Sequence, residues 1–199
     1  MRTIISTCLM MFMPLSICSA GVASGHSYPS WGDMWQTDCP NYQPEGTPAP
    51  GERILAVGGK IVDSGIQRVG NCGEFVEAVY NCAGYREECQ PNLSGRCRFN
   101  VFGSEGNKGG PYLEKWDIIR PGDWIMYINL EYDETGGTTH STIFVCWIDK
   151  EKKIARTLNF VGKDKMGRDR PGAGEYAPRT LTKVYCIRRA VPGKEEDEK

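Results

Sequence analysis

The residue whose type and position best suit chemistry is Cys72, in the stretch QRVGNCGEFVEAVY (67–80). A helix is predicted to begin at this cysteine, behind Asn71, and the positive end of a helix dipole favours the thiolate form of a thiol. Gly70 and Gly73 flank the site, so no bulky neighbour keeps a substrate backbone away. A thiolate in this setting is a nucleophile for acyl transfer.

A nucleophilic thiol needs a base, and the chain contains two histidines, His26 and His140. His26 lies just after the N-terminal apolar stretch and is interpreted as an exposed bystander. His140 opens a predicted strand, which would hold the imidazole rigidly, as base catalysis requires. A structural or solvated role is the alternative interpretation of His140.

A third polar group would fix the tautomer and orientation of the imidazole. Asn159 is the candidate, because a hairpin about the turn DKEKK (149–153) would bring it beside the start of the preceding strand. Asp149 is the competing carboxylate, but it lies at the turn end of that hairpin, where turn formation is its natural role. The alternative for Asn159 is a partly buried amide that bonds only to the sheet.

An oxyanion that forms during acyl transfer needs hydrogen-bond donors near the thiol. Gln67, five residues before Cys72, offers a side-chain amide beside the Cys72 backbone N–H, and a solvated loop glutamine is the alternative. Asn71 and Gly73 complete the predicted oxyanion and substrate-binding set. The chain has no Cys-x-x-Cys pair and few histidines, so neither a metal nor another cofactor is expected.

The N-terminus predicts export. Arg2 precedes an apolar stretch from Ile4 to about Ile17, and small residues follow, which is the three-part pattern of a secretory signal peptide. We expect residues 1–23 to be removed. A lipoprotein signal ending at Cys18 is the alternative, although Ile17 is bulky where such signals carry a small residue.

Export determines how the remaining cysteines are interpreted. Of nine cysteines, two lie in the predicted signal peptide, which leaves an odd number. In an oxidising compartment we expect at most three disulfides and one remaining thiol. Cys82, near the end of the Cys72 helix, is an expected disulfide partner, and Cys89 and Cys97 are candidates to staple the loop at 84–111. The sequence does not choose among the other pairings.

Composition excludes some classes of function. The net charge of −1 and a pI near 6.2 give no basic footprint for nucleic acid. No segment after the leader is apolar over the length that a membrane span needs, so no stable membrane insertion is expected. The chain divides into the signal peptide, an extended N-terminal arm (24–53), a main domain (54–192) and a disordered acidic tail (193–199).

The predicted elements of the main domain are one helix and four strands. The helix runs from about 72 to 83, with Asn71 as its N-cap and Glu74 completing a capping box. A short strand or turn is expected near 54–57, and the segments 84–111 and 162–179 are predicted loops. The strands are predicted at 124–130, 139–149, 154–161 and 182–191. A helix followed by an antiparallel meander gives an α+β fold.

The segments GNCGEFVEAVY (70–80), RPGDWIMY (120–127) and THSTIFVCWIDKEKKIARTLNF (139–160) resemble the papain-like cysteine hydrolases of the NlpC/P60 and CHAP superfamily. That superfamily shows a cysteine at a helix start, a Pro-Gly-Asp turn leading into a strand, a histidine opening the next strand, and a polar residue on the strand after it. The corresponding residues here are Cys72, Pro121-Gly122-Asp123, His140 and Asn159.

The resemblance implies a papain-like fold over 54–192, with the nucleophile helix packed on an antiparallel sheet. It implies that Cys72 is the nucleophile, His140 the general base and Asn159 the orienting residue, while Asp123 ties its turn into the strand. The implied reaction is hydrolysis of an amide bond. The implied substrate is foremost a peptidoglycan stem peptide, cut by an amidase or endopeptidase.

Other functions stay open on the same scaffold. One is a disulfide-stabilised secreted binding protein or an inactive homologue, in which Cys72 would pair with another cysteine. Another is a protease or transamidase that acts on proteins. In each case we expect a secreted or periplasmic monomer. The sequence leaves open whether an inhibitor or immunity protein binds it.

Overall fold

A computed structural model describes residues 29–37, 39, 48–90, 95–130, 138–160, 162 and 171–193. The predicted signal peptide, His26 and all but the first residue of the predicted acidic tail lie outside the described residues. Within these ranges, no helix is long and apolar enough to cross a membrane.

The elements are, in chain order, α1 (Trp31–Thr37), α2 (Pro50–Asp63), β1 (Gln67–Arg68), α3 (Cys72–Cys82), β2 (Glu87–Glu88), β3 (Cys97–Gly103), a 3-10 turn (Trp116–Ile118), β4 (Trp124–Asn129), β5 (Thr138–Asp149), β6 (Ile154–Phe160), β7 (Gly172–Thr180) and β8 (Val184–Val191). The strands form one sheet in the order β1-β7-β6-β5-β4-β8-β3-β2. Its neighbours run antiparallel except for the short parallel pair β2–β3. This is an α+β fold, as predicted, in which the sheet dominates.

The sheet is buried on both faces. On one face, Ile143 and Leu158 pack against the helices. On the other face, Tyr127 and Phe144 pack with side chains from the loop before β4. Each large apolar side chain buried in this way contributes roughly 1.5–3 kcal/mol. Burial on both sides explains why every residue of β4 is buried.

Helix α3 forms where the sequence predicts it. The side chain of Asn71 accepts a hydrogen bond from the Glu74 backbone N–H (3.0 Å), which caps the helix. The Glu74 carboxylate accepts from the Asn71 side-chain amide (2.9 Å), where the capping box predicted the Asn71 backbone N–H. Buried Phe75 and Val79 fix the helix on the sheet. The first turn of α3 is therefore held firmly in place.

The expected strand or turn near 54–57 is wrong, because these residues lie in α2, which also begins inside the predicted arm. Pro50 occupies a first-turn position and favours a helix start. Ile54, Val57 and Ile61 form its buried stripe at helical spacing. Gly58 and Gly59 interrupt the apolar pattern, so the helical spacing is difficult to recognise in the sequence.

The arm before α2 is not extended over its described residues, because it contains α1. Trp31 and Met34 of this helix are completely buried. The Trp31 ring meets Phe75 of α3 edge to face, with 5.0 Å between ring centroids. Burial of two large side chains explains why a segment with few regular pattern signals folds as a helix.

The four strands predicted in the C-terminal half correspond to β4, β5, β6 and β8. The predicted loop at 84–111 contains two further strands, β2 and β3, and all but the last residue of β7 lies in the predicted loop at 162–179. Strand β7 pairs with β6 along the whole of β6, from Ile154↔Thr180 to Phe160↔Gly174. The Gly- and Pro-rich sequence of β7 gives no strand signal, so its partner determines its structure.

Two disulfides join Cys39 to Cys82 and Cys89 to Cys97. The second is the predicted staple, and Cys82 is paired as expected, although the sequence did not choose Cys39 as its partner. The expectation of one remaining thiol is wrong, because Cys72, Cys146 and Cys186 all lie outside these disulfides. The first links the arm to the end of α3, and the second links the β2 segment to β3. Disulfides of this kind indicate an oxidising environment.

Candidate functional site

Cys72 is the first residue of α3, and its half-exposed side chain is a thiol outside both disulfides. Its sulfur accepts a hydrogen bond from the backbone N–H of Ser141 (3.4 Å). Since that nitrogen is bonded to the carbonyl carbon of His140, the sulfur lies within about 6 Å of His140 Cα. The helix start therefore lies against the backbone of the strand that carries the predicted histidine.

Two local features allow this approach. Gly73 faces β5, since a Cβ at this position would lie 3.9 Å from Ser141 Oγ. The pairing of β5 with β6 ends at Ile143↔Leu158, and beyond that pair the Thr142 hydroxyl donates to Leu158 O (2.7 Å). The backbone N–H of Ser141 is then directed at the cysteine sulfur instead of a strand partner.

Asn159 is the polar partner of His140. The distance from His140 Nε2 to Asn159 Oδ1 is 3.1 Å, and Asn159 is completely buried. The Tyr127 ring packs edge-on against the imidazole, with 5.5 Å between ring centroids. Asp149 instead accepts from the Lys152 backbone N–H (3.1 Å) in the hairpin turn. The geometry thus selects Asn159 over Asp149 as the neighbour of the histidine.

His140 and Ser141 face opposite sides of the sheet, because consecutive strand residues alternate. His140 contacts Tyr127, which belongs to the face away from the helices. Ser141 lines a cleft on the helix side. The cysteine sulfur reaches the β5 backbone between these two residues, at the position where β6 no longer pairs with β5.

The side chain of His140 is partly buried. Burial lowers its pKa to about 4, while the hydrogen bond with Asn159 raises it and the positive charge of Arg179 lowers it further. The ring is therefore uncharged at neutral pH. An uncharged imidazole can accept a proton, which is the state that a general base requires.

An open cleft of about 330 Å³ lies beside the cysteine, lined in part by Asn71, Gly73 and Ser141. The structure places two of the three predicted oxyanion and substrate residues here. The third, Gln67, is exposed in β1 opposite Ala173 and is not one of the described residues that line the cleft. An oxyanion role for Gln67 stays a prediction.

The cleft also contains residues that sequence reasoning missed, namely Glu105, Lys108 and Tyr185. Burial is the main reason that the pKa of Tyr185 is raised to about 12, and the negative charges of Cys186, Cys72 and Glu105 add to it. Its hydroxyl therefore stays protonated at neutral pH. Strand alternation alone could not show that Tyr185 faces the cysteine, because β8 was predicted without its register.

Helix α3 and strand β4 are joined by contacts at the turn Pro121-Gly122-Asp123. Asp123 binds Arg189 through two hydrogen bonds of 2.8 Å each and is 1 % exposed. Tyr80 of α3 donates to Gly122 O (2.7 Å) and accepts from the Trp124 backbone N–H (3.0 Å). These contacts tie α3 to the beginning of β4, in agreement with a structural role for Asp123.

The described part of the chain contains no group of three or more His, Cys, Asp or Glu side chains that could hold a metal ion. Cys72, His140 and Asn159 come from a helix start and two neighbouring strands, the order that the NlpC/P60 and CHAP resemblance implies. Comparisons with protein-family models, with curated proteins and with solved structures gave no match. The chemistry of the site is therefore argued from its own geometry.

Proposed function

We propose that the protein is a cysteine hydrolase that cleaves amide bonds, with Cys72 as nucleophile, His140 as general base and acid, and Asn159 as the orienting residue. One juxtaposition carries the proposal: Cys72 Sγ contacts the backbone next to His140, and His140 contacts Asn159. A partly exposed thiol at a helix start, against the backbone of a histidine whose uncharged imidazole contacts a buried amide, supplies the residue types of a nucleophilic site.

The reaction follows from these roles. His140 takes the thiol proton of Cys72, and the thiolate attacks the amide carbonyl, which becomes a tetrahedral oxyanion. The Glu74 N–H bonds the Asn71 cap, so the donors proposed for this charge are the backbone N–H groups of Cys72 and Gly73 at the helix start. The C–N bond then breaks, the imidazolium gives its proton to the leaving amine, and a thioester remains. His140 next takes a proton from water, which attacks the thioester and releases the carboxylic acid and the thiol.

The proposed substrate is a peptide, foremost a stem peptide of peptidoglycan, and the proposed scaffold is the papain-like one. The open cleft beside Cys72 suits an extended chain better than a small enclosed ligand. Two disulfides fit a secreted or periplasmic protein whose signal peptide (1–23) is removed. We expect the protein to act as a monomer without a cofactor.

The test compares two cysteine variants in the hydrolysis of purified peptidoglycan and of its stem peptides. Cys72→Ala should lower the rate by at least about 10³-fold, because the covalent route is lost. Cys146→Ala is the matched control, since Cys146 is an exposed thiol at another position of β5 and should be dispensable. Equal product release by wild type and Cys72→Ala would refute the proposal.

The alternative of a disulfide-stabilised binding protein predicts that Cys72 is paired with another cysteine. The two described disulfides join other residues. Alkylation of the oxidised, denatured protein, followed by peptide mapping, should label Cys72. A Cys72-containing disulfide in the mapped peptides would favour the binding protein.

A further inference from the structure

A chain of hydrogen bonds runs behind His140 through three strands. The Thr157 hydroxyl donates to Ala177 O (3.1 Å), the Asn159 side-chain N–H donates to Thr157 Oγ1 (2.6 Å), and Asn159 Oδ1 lies 3.1 Å from His140 Nε2. Thr157 and Asn159 are both completely buried. Water therefore does not compete for these hydrogen bonds, and a group that lost its partner here would stay unsatisfied.

The direction of this chain is set by the backbone carbonyl of Ala177. A carbonyl only accepts, so the single hydroxyl hydrogen of Thr157 goes to Ala177, and Thr157 Oγ1 is left to accept. The end of the Asn159 amide that faces Thr157 must then be its NH₂ group. The end that faces His140 is accordingly the carbonyl oxygen, which again only accepts.

One tautomer of the uncharged His140 ring satisfies this arrangement. Nε2 must carry the hydrogen that Asn159 Oδ1 accepts, so the lone pair of the uncharged ring lies on Nδ1. With the amide reversed, its NH₂ group would face Nε2 and Thr157 Oγ1 would meet a carbonyl oxygen. The Thr157 hydroxyl would then have to turn to that oxygen, and its hydrogen bond to Ala177 O would be lost, which is costly in a buried site.

We propose that Thr157 is a positioning residue, which acts through Asn159 to hold His140 in the Nε2–H tautomer with Nδ1 as the basic atom. The tautomer is a property of the fold. Its effect on hydrolysis rests on the proposed function. In sequence, Thr157 carries no signal beyond lying two residues before Asn159 and hence on the same face of β6.

The first test reads the tautomer directly from the ¹⁵N shifts of the histidine ring at pH 7. A His26→Gln background leaves His140 as the only histidine in the chain. The wild-type ring should be in the Nε2–H form, and Thr157→Ser, which keeps the hydroxyl, should preserve it. Thr157→Val keeps the shape and loses the hydroxyl, so it should give a mixture with the Nδ1–H form.

The second test measures hydrolysis by the same variants. Thr157→Val should lower kcat by about 10- to 100-fold with little change in KM, a size typical of groups that act through a ligating or catalytic neighbour. Thr157→Ser should restore most of the loss. A merely structural role would lower the melting temperature in both variants without this difference in tautomer.

The outcomes separate the two proposals. A wild-type ring in the Nδ1–H form would overturn the inference, even if Thr157→Val does not fold. A Thr157→Val ring that stays fully in the Nε2–H form would overturn it as well. If the tautomer responds as expected but neither wild type nor variants hydrolyse peptides, the inference about Thr157 holds and the proposed hydrolase function fails.

Discussion

At the scale of single residues, the site depends on an imidazole kept uncharged by its surroundings. Burial is the main influence that brings the pKa of His140 down to about 4. In the unfolded chain a histidine has its ordinary pKa near 6.5. Between these two values the unfolded chain binds a proton that the folded protein does not bind. Folding stability must therefore fall as the pH is lowered from about 6.5 towards 4.

This linkage can be measured as the free energy of unfolding in urea at a series of pH values. Between pH 6.5 and 4, the His140 contribution should decrease by on the order of 1 kcal/mol per pH unit as the pH falls. Above pH 6.5 its contribution should be constant. His140→Gln removes the titrating group and should lose this part of the slope.

The comparison is a difference between wild type and His140→Gln, so carboxylates that titrate in both proteins cancel. Asp149, whose pKa is lowered mainly by the Lys152 backbone N–H, is one of these. Parallel pH profiles for the two proteins would show that His140 is protonated equally in the folded and unfolded states. The base role would then lose its support from burial.

At the scale of elements, the site depends on how closely α2 approaches the sheet. A Cβ at Gly58 would lie 2.6 Å from Leu158 Cδ1 and 3.3 Å from Val79 Cγ1, and both side chains belong to the buried core. Leu158 stands directly before Asn159 on β6. A methyl group at position 58 therefore pushes on the strand that carries the partner of His140.

Gly58→Ala and Gly59→Ala form a matched pair in one helix. Alanine is favoured over glycine in a helix by about 1 kcal/mol, and this gain applies to both positions. At Gly59 a Cβ meets only the end of the exposed Tyr176 side chain, so Gly59→Ala should be neutral or stabilising. At Gly58, overpacking of about 1–3 kcal/mol should exceed the gain, so Gly58→Ala should be destabilising.

Urea unfolding of the two variants gives the comparison directly. If the close approach matters to the site, Gly58→Ala should also broaden or shift the His140 ¹⁵N resonances, while Gly59→Ala should leave them unchanged. Equal stabilisation by both substitutions would mean that α2 packs less tightly against β6 than the structure indicates.

Local sequence signals predicted the elements whose residues carry their own pattern. Helix α3 has a cap and a buried stripe, and β4, β5 and β6 are rich in branched and aromatic residues. Helix α2 was missed because Gly58 and Gly59 are poor helix formers, yet Gly58 is required where the helix meets Leu158. Strand β7 was missed because its stability comes from pairing with β6, which is remote in sequence.

The candidate site divides in the same way. Cys72 begins a predicted helix, His140 opens a predicted strand and Asn159 lies within the next predicted strand, so local patterns were enough to select all three. Thr157 and Tyr185 were missed because their roles depend on register and on which face they share. These are properties of the assembled sheet and not of any local segment.

At the scale of the whole molecule, the two disulfides close loops of very different length. Cys39–Cys82 closes a separation of 43 residues, and Cys89–Cys97 closes one of 8. Cross-links stabilise mainly by restricting the unfolded chain, and the effect grows with loop length. The longer one also holds the N-terminal arm against the end of α3, opposite the end that carries Cys72.

Replacing each disulfide by a pair of alanines tests this difference. The loop-entropy relation gives about 4 kcal/mol for Cys39→Ala/Cys82→Ala and about 2.5 kcal/mol for Cys89→Ala/Cys97→Ala. Urea unfolding of the oxidised proteins should therefore show the larger loss for the first pair. Both variants should keep Cys72-dependent hydrolysis below their melting temperatures, because neither bond touches the site. Cys97 is only 6 % exposed, so its replacement also removes buried packing. A larger loss of stability for the second pair would mean that this packing outweighs the chain entropy.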